Sequence, residues 1–325
     1  HLPTRRQRQM CIRDSDRSTN KNRGSVLSIY MIVMYASMAI GMFFINFSKP
    51  ENFQPFILIS LFMSLSLVPI LLTKRKAPNF KKISGMRLKE VYKSSPFGVV
   101  SSFLIGISHS AVFSLIAVYA TSMNFSILEV SIVTFLFAIS GAISQWPIGK
   151  LSDVLDRRIV IIYTTFGAAL FCFLAIISSG QMYMPAGLAT SKLFFYICIM
   201  CFSFCSLPMF ALIFAHTNDF IPKEKFVAAG AGLQFVFGLG AICGPFMCSL
   251  FMEFLGENGF FIFLIIFHSF IGLFGIYRMQ IRESGDNPDS QFVPMPQTIT
   301  PAGLELNPST EPIEEQNNLS EFKKI

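Results

Sequence analysis

Residues 97–126 read FGVVSSFLIGISHSAVFSLIAVYATSMNFS and contain no Asp, Glu, Lys or Arg. A transmembrane helix needs about 20 consecutive apolar residues, and this stretch is longer than that. Only helices and closed barrels satisfy the backbone within lipid, and the polar–apolar alternation of barrel strands is missing here. Seven other stretches share these features, so the sequence predicts an all-α polytopic membrane protein with eight spans: residues 24–47, 55–73, 97–126, 130–149, 159–179, 193–215, 226–252 and 260–277.

The composition is that of a membrane protein. Hydrophobic residues make up 52% of the chain and charged residues only 14%, whereas soluble domains carry about 25% charged residues. The net charge of +7 is distributed beside the predicted spans, where basic residues set topology. We therefore expect the lipid bilayer as a partner, and we exclude nucleic acid.

Basic residues alternate between the connections that join the predicted spans. Residues 74–95 contain eight Lys and Arg residues, whereas residues 126–129 contain none. Residues 150–158 are again basic, and residues 253–259 again lack Lys and Arg. Because basic connections face the cytoplasm, the sequence predicts that both termini and the linker at residues 74–95 are cytoplasmic.

The two ends of the chain differ from the part between them. Residues 1–15 read HLPTRRQRQMCIRDS, with no initiator Met and no apolar stretch of the kind that a signal peptide needs. We interpret them as a non-native leader, with a native basic arm as the alternative, and we expect the chain to be an N-terminally truncated fragment. Residues 281–325 are rich in Pro, Asn, Ser and Glu, so we expect a disordered cytoplasmic tail.

One connection carries a motif. Residues 145–158 read QWPIGKLSDVLDRR, between the fourth and fifth predicted spans. Gly149 is expected to let the backbone turn tightly at the helix end, and Asp153 to face the N-terminus of a short helix. Arg157 and Arg158 are then placed to pair with Asp153 or with a neighbouring helix end. The alternative is that these basic residues only set topology.

This segment resembles the signature loop of the major facilitator superfamily, in which a Gly is followed four residues later by an Asp and then by a basic cluster. Residues 215–219, AHTND, and residues 238–245, GLGAICGP, resemble a poorly characterised bacterial branch of that superfamily. The chain departs from the usual pattern at Val154, where a basic residue is common, and at Asp156, where Gly is common. The resemblance implies a multi-pass protein of the bacterial inner membrane.

The resemblance also implies a domain organisation. Superfamily members have twelve helices in two bundles of six, and the signature loop joins the second and third helices of a bundle. The eight predicted spans then correspond to helices five to twelve, a partial fold. Residues 16–73 would hold the last two helices of the first bundle, residues 74–95 the cytoplasmic linker, and residues 96–280 the C-terminal six-helix bundle.

What the resemblance implies for function is a secondary active transporter of a small solute, proton-coupled or of the efflux type, that works by alternating access. The expected conformational latch consists of Gly149, Asp153, Arg157 and Arg158. A cytoplasmic gate is expected at the end of the sixth predicted span, although a simple helix cap is the alternative there. Its candidate residues are His216, Asn218 and Asp219.

Polar residues inside membrane spans are costly, and this makes them candidates for contact with solute or protons. The candidates are Tyr30, Tyr35, His109, Tyr119 and Gln234. His109 is the candidate for a coupling proton because imidazole titrates near neutral pH, and the alternative is a packing histidine. A glycine-rich helix is expected to bend and to approach a neighbour closely at Gly238, Gly240, Gly244 and Pro245.

Other functional classes receive less support from the sequence. The predicted spans hold no His-Glu-x-x-His motif and no paired carboxylates, so we expect no enzyme, no metal site and no cofactor. A helical channel or a membrane sensor would be equally free of charge within its spans. These two classes, and a fragment without transport activity, remain the alternatives.

Overall fold

The computed structural model describes residues 31, 33–47, 52–72, 86–178, 192–283, 285 and 292–295. The predicted leader, the candidate Tyr30, and most of the predicted linker and tail lie outside these residues. Ten helices follow one another in the described part of the chain: α1 (Val33–Phe47, of which Met42–Phe47 is a 3-10 helix), α2 (Gln54–Leu72), α3 (Leu88–Ser94), α4 (Pro96–Ser122), α5 (Ile127–Val154), α6 (Arg157–Ser178), α7 (Lys192–Ser206), α8 (Met209–Asn218), α9 (Phe226–Leu255) and α10 (Gly259–Ile281).

Within the described residues, six helical segments are long and apolar enough to cross a membrane, which confirms an all-α polytopic membrane protein. They are α4, α5, α6, the pair α7 and α8 taken together over Lys192–Asn218, α9 and α10. Of the first two predicted spans, the structure describes part of residues 24–47, as α1, and most of residues 55–73, as the apolar helix α2.

Helix ends occur where local chemistry favours them. Ser95 precedes α4, and its hydroxyl accepts a hydrogen bond from the Gly98 amide at 3.2 Å. Ser126 and Glu129 form a reciprocal capping box at the start of α5, so two otherwise unpaired amides are satisfied. Pro208 separates α7 from α8, because proline has no amide to donate within a helix.

Helices α4 and α9 pack together through glycine. A Cβ built on Gly106 would lie 2.3 Å from the carbonyl oxygen of Phe237. On Gly240 it would lie 2.2 Å from the oxygen of Phe103, and on Gly244 2.2 Å from that of Ile107. The two helix backbones are therefore in direct contact, which is the role that small residues have between helices in lipid.

The remaining helices complete a bundle around this pair. Helix α6 packs between α10 and α7, and α7 also packs on α5. One end of the bundle holds an aromatic cluster in which the Tyr119 ring lies 5.2 Å from Phe260 and 4.9 Å from Phe261, between ring centroids. The opposite end carries the α5–α6 connection, and we call it the loop end.

Helix α1 lies along the outside of α5. The Asn46 side-chain amide donates to the Ser131 hydroxyl at 2.8 Å, and the rings of Phe43 and Phe135 lie 5.4 Å apart. Helix α2 contacts α1 through its Phe62 ring. The bundle of α4–α10 therefore has a further helix packed on its α5 face.

A short segment far along the chain packs on the loop end. Val293 and Met295 are buried, in a hydrophobic cluster with Phe226, Leu233 and Val236 of α9. The sequence analysis expected a disordered tail from residue 281 onward, and the structure instead gives residues 292–295 a packed position. Val293 and Met295, two positions apart, provide the surface that this segment buries.

Candidate functional site

Arg157 is the centre of the loop end. Its side chain is only 8% exposed, and its guanidinium contacts two elements at once. It donates to Asp153 Oδ1 at 3.2 Å, and on its other side to Asp219 Oδ1 and to the carbonyl oxygen of Ala215, the latter at 3.2 Å. Arg157 thus joins the end of α5 to the end of α8, using the forked geometry that distinguishes Arg from Lys.

Arg158 has a different set of partners. Its guanidinium pairs with Asp156 at 2.7 Å and donates to the carbonyl oxygen of Arg282 at 2.5 Å. Asp156 precedes α6, and its Oδ1 accepts the Arg158 amide at 2.9 Å, as an N-cap side chain does. Partial burial opposes ionisation, but the hydrogen bonds from Arg158 outweigh it and hold the pKa of Asp156 below its usual value.

These contacts correct two expectations from the sequence. Asp153 lies in the last turn of α5, so Asp156 and not Asp153 faces the N-terminus of the following helix. Gly149 makes no tight turn, because α5 continues through it to Val154. Its hydrogen atom instead leaves room for the Phe292 ring, which a Cβ at this position would approach to 2.2 Å.

One of the expected gate residues belongs to the Arg157 network, and the other two lie close to it. Asp219 binds Arg157, as described above, and His216 is buried between the rings of Phe97 and Phe220 at centroid distances of 5.2 Å and 5.1 Å. Asn218 is buried at the end of α8.

A cavity of about 420 Å³ lies beside this network. It is bordered by Tyr35 of α1, by Gln145 and Trp146 of α5, and by Phe292 from the packed segment at residues 292–295. Asp153 also lines it, and Asp153 Oδ1 accepts the Phe292 amide at 2.8 Å. Of the residues predicted to contact solute, the structure places Tyr35 at this cavity.

His109 lies elsewhere, deep between helices. It is 1% exposed, and its Nε2 lies 3.1 Å from both the carbonyl oxygen and the hydroxyl of Ser206. The Ser206 hydroxyl in turn lies 2.8 Å from Nε2 of His268. These contacts join α4, α7 and α10, and they are those of the packing histidine that the sequence left open as the alternative.

The other candidates are dispersed through the bundle. Tyr119 belongs to the aromatic cluster at the end opposite the loop end, and Gln234 is half-buried on α9. Gly240 and Gly244 contact α4, whereas a Cβ on Gly238 would meet no atom within 4 Å. Pro245 lies inside α9, which continues without interruption to Leu255.

Several residues at the loop end were not identified as site residues by the sequence analysis. Arg282 donates to the carbonyl oxygen of Ser94 at 2.6 Å, and its guanidinium carbon lies 4.2 Å from the Phe220 ring centroid. Phe292 lies in a segment with no recognisable motif. Asp156 had a local signal, since an Asp directly before an Arg-Arg pair at a helix start is a common cap.

The profile of the Major Facilitator Superfamily matches residues 15–189 and 98–310, which together cover most of the chain. The chain belongs to the major facilitator superfamily. It is therefore a multi-pass membrane protein of a superfamily of transporters, which agrees with the resemblance seen in the sequence.

Similar superfamily proteins carry no assigned substrate in their names. The chain is 22% identical over 276 residues to an uncharacterized MFS-type transporter of Yersinia enterocolitica, covering 84% of this chain and 67% of that protein. It is 27% identical over 260 residues to the uncharacterized MFS-type transporter YfkF of Bacillus subtilis, covering 77% of this chain and 62% of that protein. The chain thus spans about two thirds of the length of these relatives. No solved structure matches it significantly.

Proposed function

We propose that this protein is a secondary active transporter of a small organic solute, coupled to protons or acting as an exporter, and that it works by alternating access. In this proposal α4–α10 form one bundle, and α1 and α2 belong to the other bundle. The loop end faces the cytoplasm of a bacterium, because the basic connections lie on that side.

The observation that carries the proposal is the Arg157 contact between α5 and α8. A buried ion pair is weak evidence for stability, because the cost of removing both charges from water offsets their attraction. Such a pair is better suited to holding one arrangement of helix ends that another arrangement releases. Arg157 with Asp153 and Asp219 then acts as a latch in the conformation described here.

The position of α1 supports the same mechanism. Helix α1 contacts α5 near both of its ends, through Asn46 and Ser131 at one end and through Tyr35 and Gln145 toward the other. Few hydrogen bonds connect the two helices in the described residues, and a cavity separates them toward the loop end. A weakly bonded interface of this kind is where rocking of one bundle on the other takes place.

The proposal is tested by solute movement in cells. The protein is expressed from its native gene in a bacterium that lacks it, and the solutes in cells and in medium are compared by mass spectrometry. We expect at least one solute to be redistributed relative to cells with an empty vector. Equal profiles in both strains would show that the protein moves none of the solutes detected, and the transport proposal would fail.

The latch is tested with Arg157→Lys, which keeps the positive charge but loses the planar fork that binds two elements. We expect the amount of solute redistributed between cells and medium to fall by about tenfold or more. The reason is that the charged hydrogen bonds of Arg157, worth about 1.5–3 kcal/mol, are weakened or lost. Lys225→Gln is the control, since Lys225 is exposed and lies outside the network. The amount of each variant in the membrane is measured, and undiminished transport by Arg157→Lys at equal amount would refute the latch.

A further inference from the structure

A basic crevice lies at the loop end, between the start of α4 and the end of α10. Its wall includes three arginines, Arg158, Arg278 and Arg282, and the described residues that line it include no Asp or Glu. Glu283, which follows Arg282 in the chain, is exposed and does not line the crevice. Positive charges gathered without a carboxylate in the same wall favour an anionic occupant, because an anion offsets their mutual repulsion.

The three arginines differ in how far they are already paired. Arg158 forms an ion pair with Asp156, so its charge is compensated. Arg282 donates from Nη1 to the carbonyl oxygen of Ser94 at 2.6 Å, and no carboxylate pairs with it among the described residues. Arg278 makes neither a side-chain hydrogen bond nor an ion pair within that part of the chain. Two positive charges at the end of α10 therefore have no counter-ion among the described residues.

The Arg282 guanidinium is positioned but keeps most of its donors. Its central carbon lies 4.2 Å from the centroid of the Phe220 ring, a cation–π contact, and the bond to Ser94 also fixes it. A guanidinium has five N–H donors, so the single bond to Ser94 leaves the others available. Their forked arrangement matches the oxygens of a phosphate group, and a side chain that is already positioned loses little freedom on binding.

The crevice lies at the depth of lipid headgroups. The uncharged run of α10 covers residues 260–277, which are 18 residues by the sequence numbers. At about 1.5 Å per residue this run is about 27 Å long, close to the thickness of about 30 Å of the hydrocarbon core. Arg278 is the first charged residue after the run, and the Tyr277 side chain beside it is exposed, as is usual for tyrosine at the membrane–water interface.

An apolar face of α10 borders the crevice. Four of its side chains are more than half exposed: Phe270, Leu273, Tyr277 and Ile281. Their spacing of three and four residues places them on one side of the helix. Arg278 and Arg282 each follow a member of this face by one position, so the positive charge lies beside its end. A molecule with an anionic head and an acyl chain matches both surfaces at once.

We infer that the crevice binds the headgroup phosphate of an anionic phospholipid, with an acyl chain of that lipid along the apolar face of α10. Arg278 and Arg282 act as the counter-ions of the phosphate. Basic pockets between membrane helices on the cytoplasmic side bind anionic headgroups in this way, and the loop end is cytoplasmic in the topology proposed above. This lipid site goes beyond the proposed function, because it does not depend on which solute is moved.

Native mass spectrometry tests the inference by counting the lipids that stay bound to the protein. The purified full chain in detergent receives equal amounts of phosphatidylglycerol and phosphatidylcholine with the same acyl chains. We expect phosphatidylglycerol to be retained about fivefold or more over phosphatidylcholine, because choline adds a positive charge that the arginines repel. Arg278→Gln should lower the retention of phosphatidylglycerol about fivefold, since one Arg near an anionic lipid contributes about 1 kcal/mol, and Arg278→Lys should keep most of it.

The matched control is Arg87→Gln, which removes the same charge from an exposed position before α3 that does not line the crevice. Equal retention of the two lipids by the unsubstituted protein would overturn the inference. An equal loss in Arg87→Gln and Arg278→Gln would also overturn it, because the attraction would then be that of any basic surface.

Glycerol 3-phosphate distinguishes a lipid from a free phosphate. We expect it to displace little phosphatidylglycerol at equal concentration, because it has no acyl chain to lie on α10. Full displacement would assign the crevice to a soluble phosphate and refute the lipid site. None of these measurements involves transport, so absence of solute redistribution in cells would remove the proposed function and leave the lipid site unaffected.

Discussion

The contact between α4 and α9 allows a prediction with a control in the same helix. A methyl group on Gly240 would lie 2.2 Å from the Phe103 carbonyl oxygen, whereas one on Gly238 meets no atom within 4 Å. Carbon–oxygen contacts between helices are usually about 3.3–3.6 Å long, so Gly240→Ala has to move α4 and α9 apart by about 1 Å. The obstacle is backbone, which cannot rotate away as a side chain can.

The two substitutions should change the free energy of unfolding in opposite directions. Replacing Gly by Ala inside a helix gains about 1 kcal/mol from helix propensity alone, and Gly238→Ala should show this gain. Overpacking costs about 1–3 kcal/mol, and a backbone contact belongs at the upper end, so Gly240→Ala should lose about 2 kcal/mol net. The difference of about 3 kcal/mol corresponds to roughly 6–12 °C in Tm for a domain of this size.

The assay is thermal unfolding of the purified protein in one detergent, followed by loss of the monodisperse peak on size exclusion. Both variants are compared with the unsubstituted protein at the same detergent concentration. A Gly240→Ala protein as stable as Gly238→Ala would refute the close packing of α4 on α9. Gly244→Ala provides a repeat of the test, because its methyl group would lie 2.2 Å from the Ile107 carbonyl oxygen.

Two further predictions concern the interior and the packed segment. Because His109 bonds to Ser206 away from the cavity, His109→Ala should lower stability by about 1–3 kcal/mol and leave the pH dependence of solute movement unchanged. A shifted pH profile, measured in the cellular assay, would instead assign His109 to proton coupling. Met295→Asp puts a charge in a buried position and should release residues 292–295 from the bundle. The Phe292 amide, which donates to Asp153, should then lose its protection from hydrogen exchange. The amides of α5 should keep theirs, and continued protection of Phe292 would show that Met295 does not hold the segment.

The membrane helices were predictable because their cause is local. A helix in lipid satisfies its own backbone, so an uncharged apolar run of sufficient length forms a span whatever its neighbours are. This holds for α4, which covers nearly the whole of the quoted stretch at residues 97–126. At α5 the predicted span stops at Gly149, whereas the helix continues to Val154. Hydropathy marks the lipid boundary, whereas backbone hydrogen bonds decide where the helix ends.

The candidate site was predictable only where its partners are close in sequence. Asp153 and Arg157 are one helical turn apart, and the spacing was sufficient to pair them. Asp219 was identified as a gate residue, but its bond to Arg157 joins positions 62 residues apart. Arg158 was expected to pair with Asp153 or with a neighbouring helix end. It pairs with Asp156, because the start of α6 places that carboxylate directly beside it, and it also donates to the Arg282 carbonyl at the end of α10.

The sequence by itself determined that this chain is a helical membrane protein with a superfamily signature loop, since apolar length and a contiguous motif are properties of the chain alone. Tertiary structure alone decided that Tyr35, Gln145, Trp146 and Phe292 surround one cavity. Their positions are up to 257 residues apart by subtraction of the sequence numbers, and no periodicity or spacing links them. Only the packing of α1 and of residues 292–295 against α5 brings these side chains together, and that packing depends on the shapes of all three surfaces.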